Sequence, residues 1–194
     1  MRRIILASAS PRRREILERM GIAFEIMPST REEVITEKEP CEAVRRLALQ
    51  KAEDIAEKTS GDVIVLGADT VVALDGKILG KPVDQEDAVR MLESLQGREH
   101  QVYTGVAVVL RRAGEEQIIS FYEASRVKVG PVSESQIRAY VETGEPMDKA
   151  GAYAIQGRFG IFVDEIEGDY YNVVGLPVSK IYRKLLEYDV DLLK

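Results

Sequence analysis

The sequence is poor in cysteine and histidine, and it has no long run of apolar residues. Its single cysteine, Cys41, excludes an internal disulfide framework and a cysteine-rich metal site, which predicts an intracellular compartment. The single histidine, His100, is a polar residue at the start of a predicted strand, which favours a structural role over a catalytic one. No stretch approaches the roughly 18 apolar residues that a membrane span needs. We therefore expect a cytoplasmic protein with no membrane partner.

An excess of basic residues is also missing. The 27 lysines and arginines are outnumbered by 33 aspartates and glutamates, which gives a formal net charge of -6. A chain with this balance has no general affinity for nucleic acid, so any site for an anion must be local. The length of 194 residues, the apolar fraction of 45% and the absence of internal repeats predict one domain, residues 1–194, with a sizeable core.

A cluster of arginines is present where helix electrostatics disfavour it. Ser10 predicts the N-cap of a helix that follows a short strand. Arg12, Arg13 and Arg14 then occupy the first turn, where the helix dipole makes each cation unfavourable by about 0.3–1 kcal/mol. Free N–H groups, the hydroxyls of Ser8 and Ser10 and the guanidinium groups together predict a site for a phosphate chain. The alternative is that the arginines point outward and pair with acidic surface residues.

A helix predicted from about Cys41 to Lys58 carries a lysine on its apolar face. Lys51 lies four residues from both Leu47 and Ile55, so it is expected on their side of the helix unless its stem reaches past the edge to solvent. A lysine directed inward needs an anionic partner, either a carboxylate or a bound phosphate.

The loop before this helix, from Pro28 to Pro40, is acidic. Glu33 is the preferred candidate among its glutamates to hold a divalent cation that accompanies the phosphates. The alternative is that the whole loop is simply solvated.

An aspartate interrupts the most strand-like run of the sequence, residues 62–74. An ionised Asp69 in such a buried strand needs a metal, a lysine or several N–H donors, the alternative being a structural aspartate satisfied by backbone amides. The dipeptide Asp75-Gly76 predicts a two-residue hairpin turn, of type I′. Its register places Lys81 opposite Thr70, and therefore beside Asp69.

The rest of the sequence predicts further helices and strands around one irregular segment. Helices are expected at 84–95, after Ser133 and after Pro177, and long strands at 100–111 and 117–129. The segment 145–157 contains small residues, an Asp-Lys pair and Gln156, which is typical of a loop that lines a ligand site, although a plain connection is the alternative.

Five segments together resemble the Maf family of nucleoside triphosphate pyrophosphatases. They are Leu-Ala-Ser-Ala-Ser-Pro-Arg-Arg at 6–13, Gly-Ala-Asp-Thr at 67–70, Leu-Gly-Lys-Pro at 79–82, Asp-Lys-Ala-Gly-Ala-Tyr at 148–153 followed by Ile-Gln-Gly, and Val-Gly-Leu-Pro at 174–177. The likeness covers nearly the whole chain, and five such motifs in this order are specific.

The resemblance implies a mixed α/β fold similar to that of inosine triphosphate pyrophosphatases, with a twisted sheet, flanking helices and two lobes around a cleft. It also implies hydrolysis between the α and β phosphates with a divalent metal, Mg²⁺ or Mn²⁺. Asp69 is then the catalytic residue, with Glu33 and Asp69 at the metal. The expected phosphate-binding residues are Ser8, Ser10, Arg12, Arg13, Lys51 and Lys81.

The sequence is similar to the branch of the family that prefers dTTP and UTP. Arg12, Thr70 and Gln156 stand at positions that resemble the specificity determinants of that branch. The resemblance implies a role in cleaning nucleotide pools, with links to septum formation and cell-division arrest, and leaves a homodimer as an alternative to a monomer. A nucleotidyltransferase and a non-catalytic nucleotide-binding division regulator are the other functions considered.

Overall fold

A mixed sheet of seven strands forms the centre of the protein in a computed structural model, which describes residues 3–194. In chain order the strands are β1 (Arg3–Leu6), β2 (Glu25–Ile26), β3 (Val63–Leu74), β4 (Lys77–Leu79), β5 (Glu99–Arg112), β6 (Glu115–Val129) and β7 (Val163–Glu167). Their order in the sheet is β2-β1-β3-β5-β6-β7, and β4 also pairs with β3. The β1 strand is parallel to β2 and β3, whereas the pairs from β3 to β7 are antiparallel.

Helices and short 3₁₀ segments connect these strands. The helices are α1 (Pro11–Arg19), α2 (Pro40–Glu57), α3 (Gln85–Leu95), α4 (Glu134–Val141), α5 (Tyr170–Val174) and α6 (Val178–Leu186). The 3₁₀ segments are Glu145–Asp148, Ala150–Ala152 and Arg158–Phe162. Over residues 3–194, no helix is both long and apolar enough to cross a membrane.

The apolar core divides into two lobes along β3. In the first lobe, α1 and α6 pack on one face of the sheet and α2 packs on the other, around the first half of β3. In the second lobe, α3, α4 and the 3₁₀ segments pack around the second half of β3. Representative buried residues on the α1 and α6 face are Leu6, Leu17, Leu66 and Ile181, and those on the α2 face are Ile5, Ala52 and Val65. Those in the second lobe are Val72, Leu92, Ile137 and Phe159.

The β3 strand is paired continuously along one edge but only partly along the other. On its β5 side the pairing runs from Val63 to Ala73. On the opposite side β1 pairs with residues 63–66 and β4 pairs with residues 72–74. Within the described chain, residues 67–71 therefore have no strand partner on that side, and Asp69 and Thr70 lie in this gap.

Most of the elements expected from the sequence are confirmed, including the hairpin turn. Asp75 and Gly76 both have positive φ, 50° and 76°, as a type I′ turn requires. Gly21, which the sequence predicts to end the first helix as its C-cap, has φ of 69° and directly follows the C-cap residue Met20. Leu186, one of the apolar residues that the sequence predicts to pack in the helix after Pro177, is instead 44% exposed.

The predicted pairing of Lys81 with Thr70 is wrong. The register begins as expected, with Leu74 opposite Lys77, but β4 ends at Leu79. Beyond that point the Gly80 carbonyl accepts a hydrogen bond from Gly151 N at 3.0 Å, so the chain has left β3 for a 3₁₀ segment.

Candidate active site

A cleft with a volume of about 510 Å³ lies over the gap in β3, with walls from both lobes. All ten residues proposed from the sequence for catalysis and for phosphate, base or metal binding line it. They are Ser8, Ser10, Arg12, Arg13, Glu33, Lys51, Asp69, Thr70, Lys81 and Gln156. The fold thus gathers residues from the beginning, the middle and the end of the chain around one cavity.

The three arginines of the first turn of α1 take three different directions. Arg14 is exposed and pairs with Glu18 at 2.7 Å on the outside of the helix. Arg13 is buried. Arg12 lines the cleft and makes no hydrogen bond or ion pair to any residue from 3 to 194. The alternative of outward pairing therefore holds for Arg14 alone.

Ser10 is the N-cap residue of α1, as predicted, but its side chain makes no capping hydrogen bond. Its backbone N–H instead donates to the Ser8 hydroxyl at 3.3 Å. The predicted capping bond is wrong, and Ser10 lines the cleft without capping the helix through its hydroxyl.

The Arg13 guanidinium is fixed by acceptors from three parts of the chain. Its Nε donates to the Gly175 carbonyl at 2.9 Å. Its Nη1 donates to Ser8 Oγ at 2.9 Å, and its Nη2 donates to Thr70 Oγ1 at 3.0 Å. Burial lowers the pKa of this guanidinium, and the nearby Asp69 carboxylate opposes that shift. Arg13 thus ties the α1 turn, β3 and the segment after α5 into one wall.

A buried hydrogen-bond chain continues from Thr70 away from the cleft. The Thr70 and Thr104 hydroxyl oxygens are 2.9 Å apart, and Thr104 Oγ1 donates to the Asn172 carbonyl at 3.0 Å. Thr104 and Asn172 are completely buried. Thr104 had no distinguishing signal in the sequence, since a threonine in a valine-rich strand is ordinary strand composition.

Two glycines allow α2 to pack directly on the sheet below the cleft. A Cβ at Gly67 on β3 would lie 2.3 Å from the Ala48 carbonyl oxygen. A Cβ at Gly105 on β5 would lie 2.1 Å from the Val44 carbonyl oxygen. Any larger residue at either position would push the helix away, so these glycines set the height of Lys51 above β3.

Lys51 meets two carboxylates at the floor of the cleft. Its Nζ lies 2.6 Å from Asp69 Oδ1 and 3.0 Å from Glu33 Oε1. The lysine side chain is 11% exposed and that of Asp69 is 12% exposed, which confirms the inward orientation and the anionic partner expected from the helix pattern. The alternative in which the stem reaches past the edge to solvent is wrong.

Asp69 and Glu33 are also the groups that fit a divalent metal. Their carboxylates converge on one cation, the Lys51 ammonium. No cluster of three or more potential metal ligands is found among residues 3–194, and Asp69 and Glu33 form a pair of carboxylates. Mg²⁺ binds in this way elsewhere, through one or two carboxylates with the remaining positions filled by water and phosphate oxygens.

Lys81 reaches the cleft from the turn after β4. It is exposed and, like Arg12, it has no hydrogen bond or ion pair with any other described residue. The expected contact with Asp69 is made by Lys51 instead. Arg12 and Lys81 are therefore the two cations that the protein leaves available for an anionic ligand.

The segment 145–157 forms the opposite wall of the cleft and carries Gln156, which is exposed. Tyr153, three residues earlier, is buried beneath it and shares a hydrogen bond of 2.7 Å with His100 Nε2. Lys149 and, to a smaller extent, Arg12 lower the pKa of Asp148 at the cleft edge. Tyr153 had no predicted function, although an aromatic residue within a run of small residues was a usable signal.

Comparison with known proteins gives consistent relatives over nearly the whole chain. A family model described as Maf-like protein matches residues 3–188. A dTTP/UTP pyrophosphatase of Agathobacter rectalis is 49% identical over 205 residues, which cover 99% of this chain and 100% of the relative. A dTTP/UTP pyrophosphatase of Lachnoclostridium phytofermentans is 46% identical over 195 residues, covering 100% and 99% of the two chains.

A solved structure supports the fold assignment. The structure of a HAM1 protein from Coxiella burnetii superposes with a TM-score of 0.51, covering 96% of this chain and 100% of that one, at 14% sequence identity. The expected mixed α/β architecture with two lobes around a cleft is confirmed.

Proposed function

This chain belongs to the Maf family, and we propose that it is a nucleoside triphosphate pyrophosphatase that hydrolyses dTTP and UTP to the nucleoside monophosphate and pyrophosphate. Such an activity removes unwanted nucleotides from the cellular pool. The observation that carries the proposal is a cleft in which Arg12 and Lys81 are unpaired cations within the described chain while a carboxylate pair is held at the floor.

The two unpaired cations suit the triphosphate. Guanidinium and ammonium groups form charge-assisted hydrogen bonds to phosphate oxygens that are about twice as strong as neutral ones. Arg13 and Lys51 already have partners from the protein, so they shape the site and hold its walls. Arg12 and Lys81 are proposed to make the first contacts with the phosphate chain.

Asp69 is proposed to act on the water that attacks the α-phosphate. A carboxylate can take the proton of that water, and in the absence of nucleotide the short contact with Lys51 holds the Asp69 carboxylate at the floor of the cleft. A divalent metal, held by Asp69 and Glu33 together with phosphate oxygens, would supply positive charge where negative charge develops.

Gln156 and Arg12 are proposed to recognise the base. An amide offers both a donor and an acceptor, which match the N3–H and O4 groups along one edge of uracil and thymine. The exposed position of Gln156 on the cleft wall leaves its amide free to meet a base.

The test is pyrophosphate release from a panel of nucleoside triphosphates with Mg²⁺ or Mn²⁺. We expect turnover of dTTP and UTP well above that of GTP and ATP. Asp69→Asn should reduce turnover by at least about a hundredfold, within the range that loss of a general base produces. Asp164→Asn, the same chemical change at an exposed residue outside the cleft, should leave turnover unchanged.

Three results would contradict this proposal. Full activity of Asp69→Asn at every metal concentration would exclude Asp69 from the chemistry. Tight nucleotide binding without pyrophosphate release would favour a non-catalytic regulator, and transfer of the nucleoside monophosphate to an acceptor would favour a nucleotidyltransferase. A partial rescue of Asp69→Asn by excess Mn²⁺ would identify metal binding as the principal role of the carboxylate.

A further inference from the structure

The Lys51 ammonium lies between the two carboxylates that fit a metal. Its Nζ contacts Asp69 of β3 at 2.6 Å and Glu33 of the loop before α2 at 3.0 Å. We propose that Lys51 occupies the place of the divalent cation until a triphosphate arrives, so that metal and nucleotide bind only weakly apart and tightly together. This inference rests on the proposed function and deepens it.

Geometry makes the lysine and the metal competitors. A Mg²⁺ ion bound by both carboxylates would lie about 2.0–2.1 Å from one oxygen of each. The ammonium already lies within 3.0 Å of an oxygen of each. Both cations cannot occupy that space, and a divalent ion placed beside an ammonium that has not moved would meet strong repulsion across a short distance.

The displaced ammonium needs another anion. Lys51 is mostly buried, and its carboxylate contacts within residues 3–194 are Asp69 and Glu33. An ammonium moved away from both would lose its compensation while it is still mostly buried. A triphosphate bound by Arg12 and Lys81 supplies that compensation, because its oxygens enter the same cleft.

The helix that carries Lys51 packs closely on the sheet, so withdrawing it to make room would open voids and cost packing energy. The backbone of α2 at Val44 and Ala48 lies against Gly105 and Gly67, where even a Cβ atom would not fit. We therefore expect the exchange to occur through the rotatable bonds of the lysine side chain. The coupling of metal and nucleotide is then a property of one residue and should be reciprocal, so each ligand strengthens the binding of the other by the same factor.

The experiment is a titration of the full-length protein with Mn²⁺, with the free ion followed by electron paramagnetic resonance. It is done without nucleotide and with a dUTP analogue that carries an α,β-imido group and cannot be cleaved there. For the unmodified protein we expect the analogue to raise Mn²⁺ affinity by at least about tenfold, within the 5–150-fold range usual for coupled sites. Lys51→Met should raise Mn²⁺ affinity without nucleotide by about tenfold and abolish most of the coupling.

Lys81→Met is the matched control, since it removes the same charge from the same cleft but from a side chain that contacts neither carboxylate. Its Mn²⁺ affinity without nucleotide should stay near that of the unmodified protein. An equal rise in both variants would mean that only the overall field of the cleft matters, and the proposal would be overturned.

Two further results would overturn it: no rise in a folded Lys51→Met, as judged by circular dichroism, or equally tight Mn²⁺ binding to the unmodified protein with and without the analogue. If Lys51→Met does not fold, Lys51→Gln removes the charge while keeping a donor for Asp69, and the same rise is expected. These titrations need no turnover, so they are independent of the pyrophosphate-release test that decides the proposed function.

Discussion

At the scale of single residues, Arg12 and Arg13 show how neighbours in a helix acquire different tasks. Successive helical residues point about 100° apart, so two adjacent side chains cannot share one environment. Arg13 is directed inward and donates to three acceptors, of which the Gly175 carbonyl is 162 positions away in sequence. Arg12 is directed into the cleft and has no partner among residues 3–194. The first is a structural link, and the second is available to a ligand.

Arg13→Lys should therefore destabilise the protein more than Arg12→Lys. A lysine cannot reproduce the planar fork of donors, so buried acceptors lose partners, at a cost of about 2–3 kcal/mol in the free energy of unfolding. Arg12→Lys should leave the free energy of unfolding within about 0.5 kcal/mol of the original. Urea denaturation of both variants is the measurement, and equal destabilisation would contradict the division of roles.

At the scale of elements, the segment 145–157 is attached both to the turn after β4 and to β5, while Gln156 makes no such hydrogen bond within residues 3–194. Gly151 N donates to the Gly80 carbonyl beside Lys81, and Tyr153 is fixed to His100 on β5. Gly151 has φ of 68°, and a Cβ there would lie 2.9 Å from Val72. These anchors place the wall that carries Gln156 at a set distance from the turn that carries Arg12.

Gln156→Glu should change base preference without changing the fold. A carboxylate presents only acceptors, so it meets O4 of uracil or thymine unfavourably, and a mismatch of this kind costs about 1–3 kcal/mol. The ratio of kcat/KM for dTTP to that for GTP should fall by about tenfold or more. An unchanged ratio would show that Gln156 does not contact the base.

At the scale of the whole molecule, one buried residue links folding to mild acid. His100 is completely buried, and desolvation lowers the pKa of its imidazole from 6.5 to about 4. Between pH 6.5 and 4, His100 is protonated in the unfolded chain but neutral in the folded protein. The contribution of His100 to the free energy of unfolding is therefore fully present above pH 6.5 and is lost as the pH falls to about 4. Below about pH 4 this group causes no further loss.

The expected loss of unfolding free energy between pH 6.5 and 4 is about 3 kcal/mol. Denaturation at a series of pH values measures it, and His100→Gln should flatten the curve over that interval. Carboxyl groups add a loss of their own that begins near pH 4.5, because Arg46 lowers the pKa of Glu37 from 4.5 to about 2, so the difference between the unmodified protein and His100→Gln isolates the histidine. Because the sequence has one histidine, a single imidazole resonance reports the pKa directly. An imidazole that titrates near 6.5 would contradict the assignment.

The sequence by itself determined what local spacing controls. A helix places residues four apart on one face, so the apolar neighbours of Lys51 were enough to direct it inward. The pair Asp75-Gly76 was enough to set the turn, because positive φ at two successive positions limits the residues that fit. The motifs also carried the family, which the comparisons confirmed over residues 3–188.

The tertiary structure alone decided which groups meet. After β4 ends at Leu79, the Gly80 carbonyl accepts from Gly151 N, and Lys51, in place of Lys81, is the partner of Asp69. The gap in β3 follows from the placement of β1 and β4 along one edge. Such outcomes depend on the order of strands and on how closely a helix approaches them, and both are fixed by contacts between residues far apart in the chain. The local spacing of residues carries no information about strand order or about how closely a helix approaches the sheet. The sequence therefore supplied the chemical groups of this site, and the packing of α2 and of the two lobes around β3 supplied their geometry.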